Sequence, residues 1–157
     1  MRVHIGTDHA GFALKEYVVE KLKEAGFDVV DHGATVEDGQ DDYPTYCIAC
    51  AEGVAADAGS LGIVLGGSGN GEQVSANKVK GIRAILAWNP STAKLGREHN
   101  NANIVSIGAR EHSKEEAWEL IHLFLTTPFS EDARHIRRIQ LISDYENRSG
   151  ETTESAK

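Results

Sequence analysis

Five short runs rich in apolar and β-branched residues recur along the chain, each separated from the next by a segment of helical period. The runs are RVHIG (2–6), FDVVDHG (27–33), LGIVLGG (61–67), IRAILAW (82–88) and NIVSIGA (103–109). Between the first two, FALKEYVVEKLKEAG carries Leu14, Val18, Leu22 and Ala25 on one helical face and stops at Gly26, a residue that ends helices because it tolerates a left-handed backbone. YPTYCIACAEGVAADAG, GEQVSANKV and PSTAKLGREHN fill the next gaps. SKEEAWELIHLFLTT opens with Ser113 and Glu116 in capping-box spacing. Strands alternating with helices build βαβ units, hence a parallel sheet with helices on both faces. The pattern predicts an α/β fold: one doubly wound, Rossmann-like αβα sandwich over residues 1–147, with a five-stranded parallel sheet. After Pro128 no further strand follows. Ser130 is expected to cap an extra C-terminal helix over DARHIRRIQLISDYENR, with Glu131 and Asp132 complementing its dipole and Ile136 and Ile139 on its packed side. The polar end of the chain, 148–157, is expected to be a disordered tail.

Charge narrows the possible partners. The chain of 157 residues has a net charge of −8, so nothing global draws it to nucleic acid or to an anionic membrane. No apolar run approaches the ~18 residues of a membrane helix, and the N-terminus opens as a strand rather than as a signal peptide. A cytoplasmic protein is expected. Cys47 and Cys50 form a CxxC, but neither a strand-to-helix redox context nor further zinc ligands accompany it. They read as two small buried helix residues, and no metal site is expected.

In open parallel sheets ligands bind beyond the carboxyl ends of the strands. The segments just past the strands are TDHAG, GGSGNGEQ, WN and GAR, and the helix before the fifth run ends in REHNN. The glycine loop fails three templates. A Walker A loop would need Lys-Ser/Thr where Glu72-Gln73 stand, a dinucleotide fingerprint needs glycine at 72, and a nucleophile elbow around Ser68 needs glycine at 70 instead of Asn70. What remains is a rim of backbone N–H groups, Gly67 to Gly71, with the carboxylate of Glu72 beside it. A resident phosphate would be repelled there. An oxyanion that exists only while Glu72 holds an abstracted C–H proton suits the same geometry.

A phosphate would therefore bind elsewhere. Arg134 and Arg138 lie one helical turn apart, with Arg137 near them, and Arg110 follows the fifth run. The pairs Asp8-His9 and His99-Asn100 are read as lying at the same site edge, His99 being able to move protons near neutral pH. His4, His32, His112, His122 and His135 are assigned no catalytic part.

DHAG, DYP, GGSGNGEQVSANK, GIRA, REHNNAN, IGAR and RHIRRI, in that order over residues 2–146, resemble the ribose-5-phosphate isomerase B family, and within it the actinobacterial subtype. The resemblance implies interconversion of ribose 5-phosphate and ribulose 5-phosphate, in the non-oxidative pentose phosphate pathway, without metal or organic cofactor. The family's better-known branch uses a cysteine just before the glycine loop. Gly66 stands there, and Glu72 matches the glutamate that the other subtype uses. Carried over, the resemblance makes Glu72 the proton acceptor, His99 the ring-opening acid–base group, and Gly67, Ser68, Gly69, Asn70 and Gly71 the enediolate-binding loop, with Ser68 a candidate for proton redistribution. Asp8, His9 and Asn100 would hold sugar hydroxyls. Arg110, Arg134 and Arg138 would hold the phosphate, with His9 able to share it. The resemblance also implies a homodimer with sites shared between subunits, REHNN and GAR coming from the second chain, while dimer or tetramer stays open. Two rivals stand beside it: an isomerase of six-carbon sugar phosphates, and a flavodoxin-like nucleotide- or anion-binding module that leaves Glu72 and His99 without roles.

Overall fold

A computed structural model describes residues 1–148. Five parallel strands, β1 (Arg2–Thr7), β2 (Asp28–Asp31), β3 (Leu61–Gly66), β4 (Ala84–Leu86) and β5 (Ile104–Gly108), form one sheet in the order β2-β1-β3-β5-β4. Six helices accompany them: α1 (Phe12–Glu24), α2 (Tyr43–Ala56), α3 (Asn70–Ala76), α4 (Pro90–Asn100), α5 (Lys114–Thr126) and α6 (Ala133–Asn147). The expected architecture is the observed one. The tail, apart from Arg148, lies outside the described residues.

The central strands are apolar on both faces because both are covered. Ile63, Leu65, Val105 and Ile107 point into a core with α1, α4 and α5, including Leu14, Val18, Leu22, Ile121 and Phe124. Val64 and Ile104 point the other way, into a smaller core with Cys47, Cys50, Ala51 and Val54 of α2 and Ala76 of α3. Both cysteines are fully buried and unpaired, and burial pushes the Cys50 thiol up to about 12.

The caps explain where the helices begin. Ser113 and Glu116 close the foreseen capping box on α5, and Asn89 with Thr92 forms a second one on α4 that the sequence reading did not name. Three local expectations need correction. Ala25 lies past the end of α1 and is exposed, since Gly26 at φ 84° already turns the chain away. Asp132, not Ser130, caps α6: its carboxylate accepts from the Arg134 N–H at 3.0 Å. The packed side of α6 runs through His135 and the half-buried Ile139 rather than through Ile136 and Ile139. Ile136 is exposed, and His135 is the helix's one buried residue.

Two features of topology place the chemistry. Chain direction across the sheet reverses between β1 and β3, with α1 on one face and α3 on the other, so the loops after these strands diverge and leave a crevice at the carboxyl edge. Every connecting helix then returns to the opposite edge before the next strand starts.

Candidate active site

The loop after β3 meets α3 at Gly69, whose φ of 85° requires glycine. A side chain there would also strike Leu86 and the backbone of Ile107 and Gly108, and Ser106 Oγ donates to the Gly69 carbonyl at 2.7 Å. The loop is thus pressed onto the ends of β4 and β5. Glu72 follows in the first turn of α3, buried at 4% exposure. Its carboxylate lies over Gly66: a Cβ built at that position would sit 1.8 Å from Glu72 Oε1. Burial pushes the Glu72 carboxyl above its ordinary range, and the nearby Asp8 charge adds to this. Backbone N–H groups of Glu72 itself and Gly69 pull the other way. A buried carboxylate facing a floor of bare backbone, beside the N–H groups of a helix start, can accept a proton and stands near donors for the charge that proton leaves behind.

Asp8 and His9 follow β1 and border the same crevice. Asp8 is buried, and its carboxylate accepts from the Ala10 N–H at 3.0 Å. His9 lies 3.8 Å from Asp8 and, through Nδ1, 2.7 Å from Asp41 Oδ1. Arg110, exposed just past β5, is tied to the loop: its N–H donates to the Gly67 carbonyl at 3.0 Å, and its guanidinium covers the Gly67 Cα. The Arg110 charge acts on His9. Asp8, His9, Glu72 and Arg110, with the loop Gly67–Gly71, therefore form one cluster within a single chain. Arg110 belongs to the same copy as the glycine loop, which corrects the expectation that the GAR segment comes from a second chain. The β5 end lies directly beside β3, with Gly66 in register with Gly108.

His99 and Asn100 are elsewhere. α4 starts at the carboxyl edge behind β4 and descends along the sheet, so its last residues reach the amino edge, three residues before β5 begins. The end of α4 is fixed there. Asn101 takes a left-handed φ of 42°, Arg83 donates to the carbonyls of Asn100 and Asn101 at 2.9 and 2.8 Å, and Arg97 holds Asn101 Oδ1 and the Thr127 and Ala102 carbonyls. Placing His99-Asn100 on the Glu72 edge was wrong for one chain. A five-residue strand spans about 17 Å, and this length separates the two groups. α6 lies along the same amino edge. The Ser130 N–H donates to the Glu98 carbonyl, the His135 ring stacks on His99 at 4.2 Å between centroids, and Glu146 accepts from the Gly81 N–H. Arg134 and Arg138 are exposed on this helix, with Arg134 3.4 Å from Asp132. The site residues expected from the sequence thus fall into two groups, one at each edge of the sheet.

Asp8, His9 and Asp41 bring one possible metal-ligand atom each within 4.8 Å of one another. Within this trio, His9 Nδ1 already lies at hydrogen-bond distance, 2.7 Å, from Asp41 Oδ1. Sequence reasoning missed Asp41 and Tyr43. Both belong to the DDYP segment, and the Tyr43 ring packs so closely on Gly71 that a Cβ there would lie 2.6 Å from it. The only available signal was an acidic pair just before a helix-opening proline.

Comparison with known proteins bears on this geometry. The profile of the family described as Ribose/Galactose Isomerase matches residues 3–142. Ribose-5-phosphate isomerase B of Mycobacterium tuberculosis (strain CDC 1551 / Oshkosh) is 54% identical over 146 residues, 93% of this chain and 90% of that protein. That of Mycobacterium leprae (strain TN) is 53% identical over the same shares. The crystal structure of ribose-5-phosphate isomerase B from Mycoplasma genitalium with bound ribulose-5-phosphate superposes with a TM-score of 0.91 at 38% identity, covering 94% of this chain and 97% of that one.

Proposed function

The chain belongs to the Ribose/Galactose Isomerase family, and we propose that it interconverts D-ribose 5-phosphate and D-ribulose 5-phosphate through a cis-enediolate, with Glu72 as the base. The observation that carries the assignment of the base is the burial of the Glu72 carboxylate against Gly66, where no side chain of another base could fit beside it.

In this reading, His99 of a second copy relays a proton between the anomeric hydroxyl and the ring oxygen, which frees the aldehyde. Glu72 takes the proton from C2. The released electron pair forms the C1=C2 bond and the carbonyl oxygen takes up negative charge, which the N–H groups of Gly67 to Gly71 receive. Ser68 helps exchange the proton between O1 and O2. Glu72 then returns its proton to C1, and C2 becomes the ketone. Asp8 and Asn100 hold sugar hydroxyls. His9 and Arg110 of one copy, with Arg134 and Arg138 of the other, hold the phosphate. A positioned base supplies roughly 10²–10⁴-fold and one oxyanion donor about 10²-fold or more, so base and loop must be adjacent. Phosphate binding, remote from the reacting carbons, supplies orientation.

The separation of the two groups supports a homodimer in this reading, with the amino edge of one copy against the carboxyl edge of the other. α6 supports it, because Leu141, Ile142 and Tyr145 stand exposed on a helix that packs little on its own chain. A cytoplasmic site of action accompanies this reading, since a charged sugar phosphate does not cross a membrane unaided. Among the described residues no helix is long and apolar enough to cross one.

The test is a coupled assay of the purified protein on ribose 5-phosphate beside allose 6-phosphate and galactose 6-phosphate. Turnover of the pentose ester is expected. Turnover confined to a hexose ester would replace the substrate, and turnover of none would remove the reading.

A further inference from the structure

His9 is gripped on one side only. Asp41 Oδ1 accepts from both the His9 backbone N–H, at 3.0 Å, and His9 Nδ1, at 2.7 Å. Nε2 makes no hydrogen bond among the described residues, and the ring keeps 31% exposure. Asp41 itself is sunk: its side chain is 7% exposed, and its second oxygen, Oδ2, is buried with no partner. A buried carboxylate with an unsatisfied oxygen is costly, so packing alone gives no reason for an acid here. A neutral amide could take the same backbone N–H. An amide oxygen could also accept from Nδ1–H; what only the carboxylate adds is a negative charge that favours the ring's second proton, on Nε2.

We infer that Asp41 is a positioning residue that holds His9 as an imidazolium whose free Nε2–H, beside the Arg110 guanidinium, donates to the phosphate of the substrate. The inference rests on the functional reading above and deepens it. The groups facing His9 have opposing effects. Asp41 and Asp8 favour its charged form, whereas Arg110 and partial burial disfavour it, and the hydrogen bond to Asp41 is the largest influence, so the ring is held above the ordinary histidine range. Beyond Asp41 lies the phenol of Tyr46, itself pushed up by burial and by Asp41, Asp38 and Asp42. Across the crevice the Asp8 charge also acts on Glu72, helping to hold its carboxyl above the ordinary range. The sign follows: His9 stays charged to higher pH than a free histidine, and phosphate affinity is lost as pH rises through that raised value.

The experiment compares the parent with Asp41→Asn. KM for ribose 5-phosphate should rise by up to about tenfold at pH values between the ordinary histidine range and the parent's own midpoint, kcat should change less than about twofold, and the rise of KM with pH should begin at lower pH in the variant. A structural role would lower kcat or stability without moving that midpoint, and KM–pH curves that superimpose would overturn the inference. A second readout needs no catalysis: the His9 ring is titrated by NMR with and without inorganic phosphate, in the parent. A midpoint above the ordinary histidine value that rises further with phosphate supports the inference, and a midpoint at or below it overturns it even if Asp41→Asn fails to fold. Absence of isomerase activity in the parent would instead count against the functional reading.

Discussion

At the scale of the residue, the pairing of Gly66 with Glu72 decides which chemistry is open to this chain. The two cannot both carry bulk, because a Cβ at 66 and the Glu72 carboxylate claim the same space. Gly66→Ala should therefore fold, yet lose about 10²-fold in kcat by displacing the base. Parental turnover in that variant would show that the carboxylate acts from elsewhere. The buried carboxyl titrates above the ordinary glutamate range, and only its charged form accepts a proton. Turnover should fall as pH decreases through that raised value, and this limb should begin above pH 4.5, the ordinary value. A profile flat down to the range of free glutamate would contradict it. Glu72 and its loop were legible in the sequence because two phosphate-binding templates failed at the same carboxylate, and a nucleophile elbow failed at Asn70 two residues before it. Asp41 was not legible. Its hydrogen bond to His9 joins residues 32 positions apart, and no local pattern reports such a pairing.

At the scale of the element, alternation of strands and helices was enough to place every strand, because parallel strands buried on both faces are written as continuous apolar runs. Direction was read less well. REHNN was grouped with the segments that follow strands, although a helix in a βαβ unit runs antiparallel to its strands and ends at the far edge. The arginines that hold the end of α4 show how firmly the site depends on this element. Arg97→Ala would leave the carbonyls of Ala102 and Thr127 and the Asn101 side chain without their donor. A loss of about 2 kcal/mol in a denaturant titration is expected. If His99 opens the ring as proposed, turnover of closed-ring ribose 5-phosphate should fall more than that of a short acyclic aldose phosphate. Equal losses on both substrates would detach the end of α4 from ring opening. α6 was legible as a helix and misread in its packing: His135 is its one buried residue, while Leu141, Ile142 and Tyr145 stay largely exposed among the described residues.

At the scale of the whole molecule, one chain keeps Glu72 and His99 at opposite edges of the sheet, about one strand length apart, and the function proposed above needs the two groups to meet across two copies. No sequence pattern states that separation; it emerges once the sheet gives every helix a start and an end. The most direct measurement mixes two variants, Glu72→Gln and His99→Asn, after unfolding and refolding them together. Each alone should turn over ribose 5-phosphate at least 10²-fold more slowly than the parent. A statistical mixture should regain about a quarter of parental activity, because half the dimers are mixed and each mixed dimer rebuilds one of its two sites. Parental turnover by Glu72→Gln alone, or no recovery in a mixture whose native mass shows mixed dimers, would contradict the account.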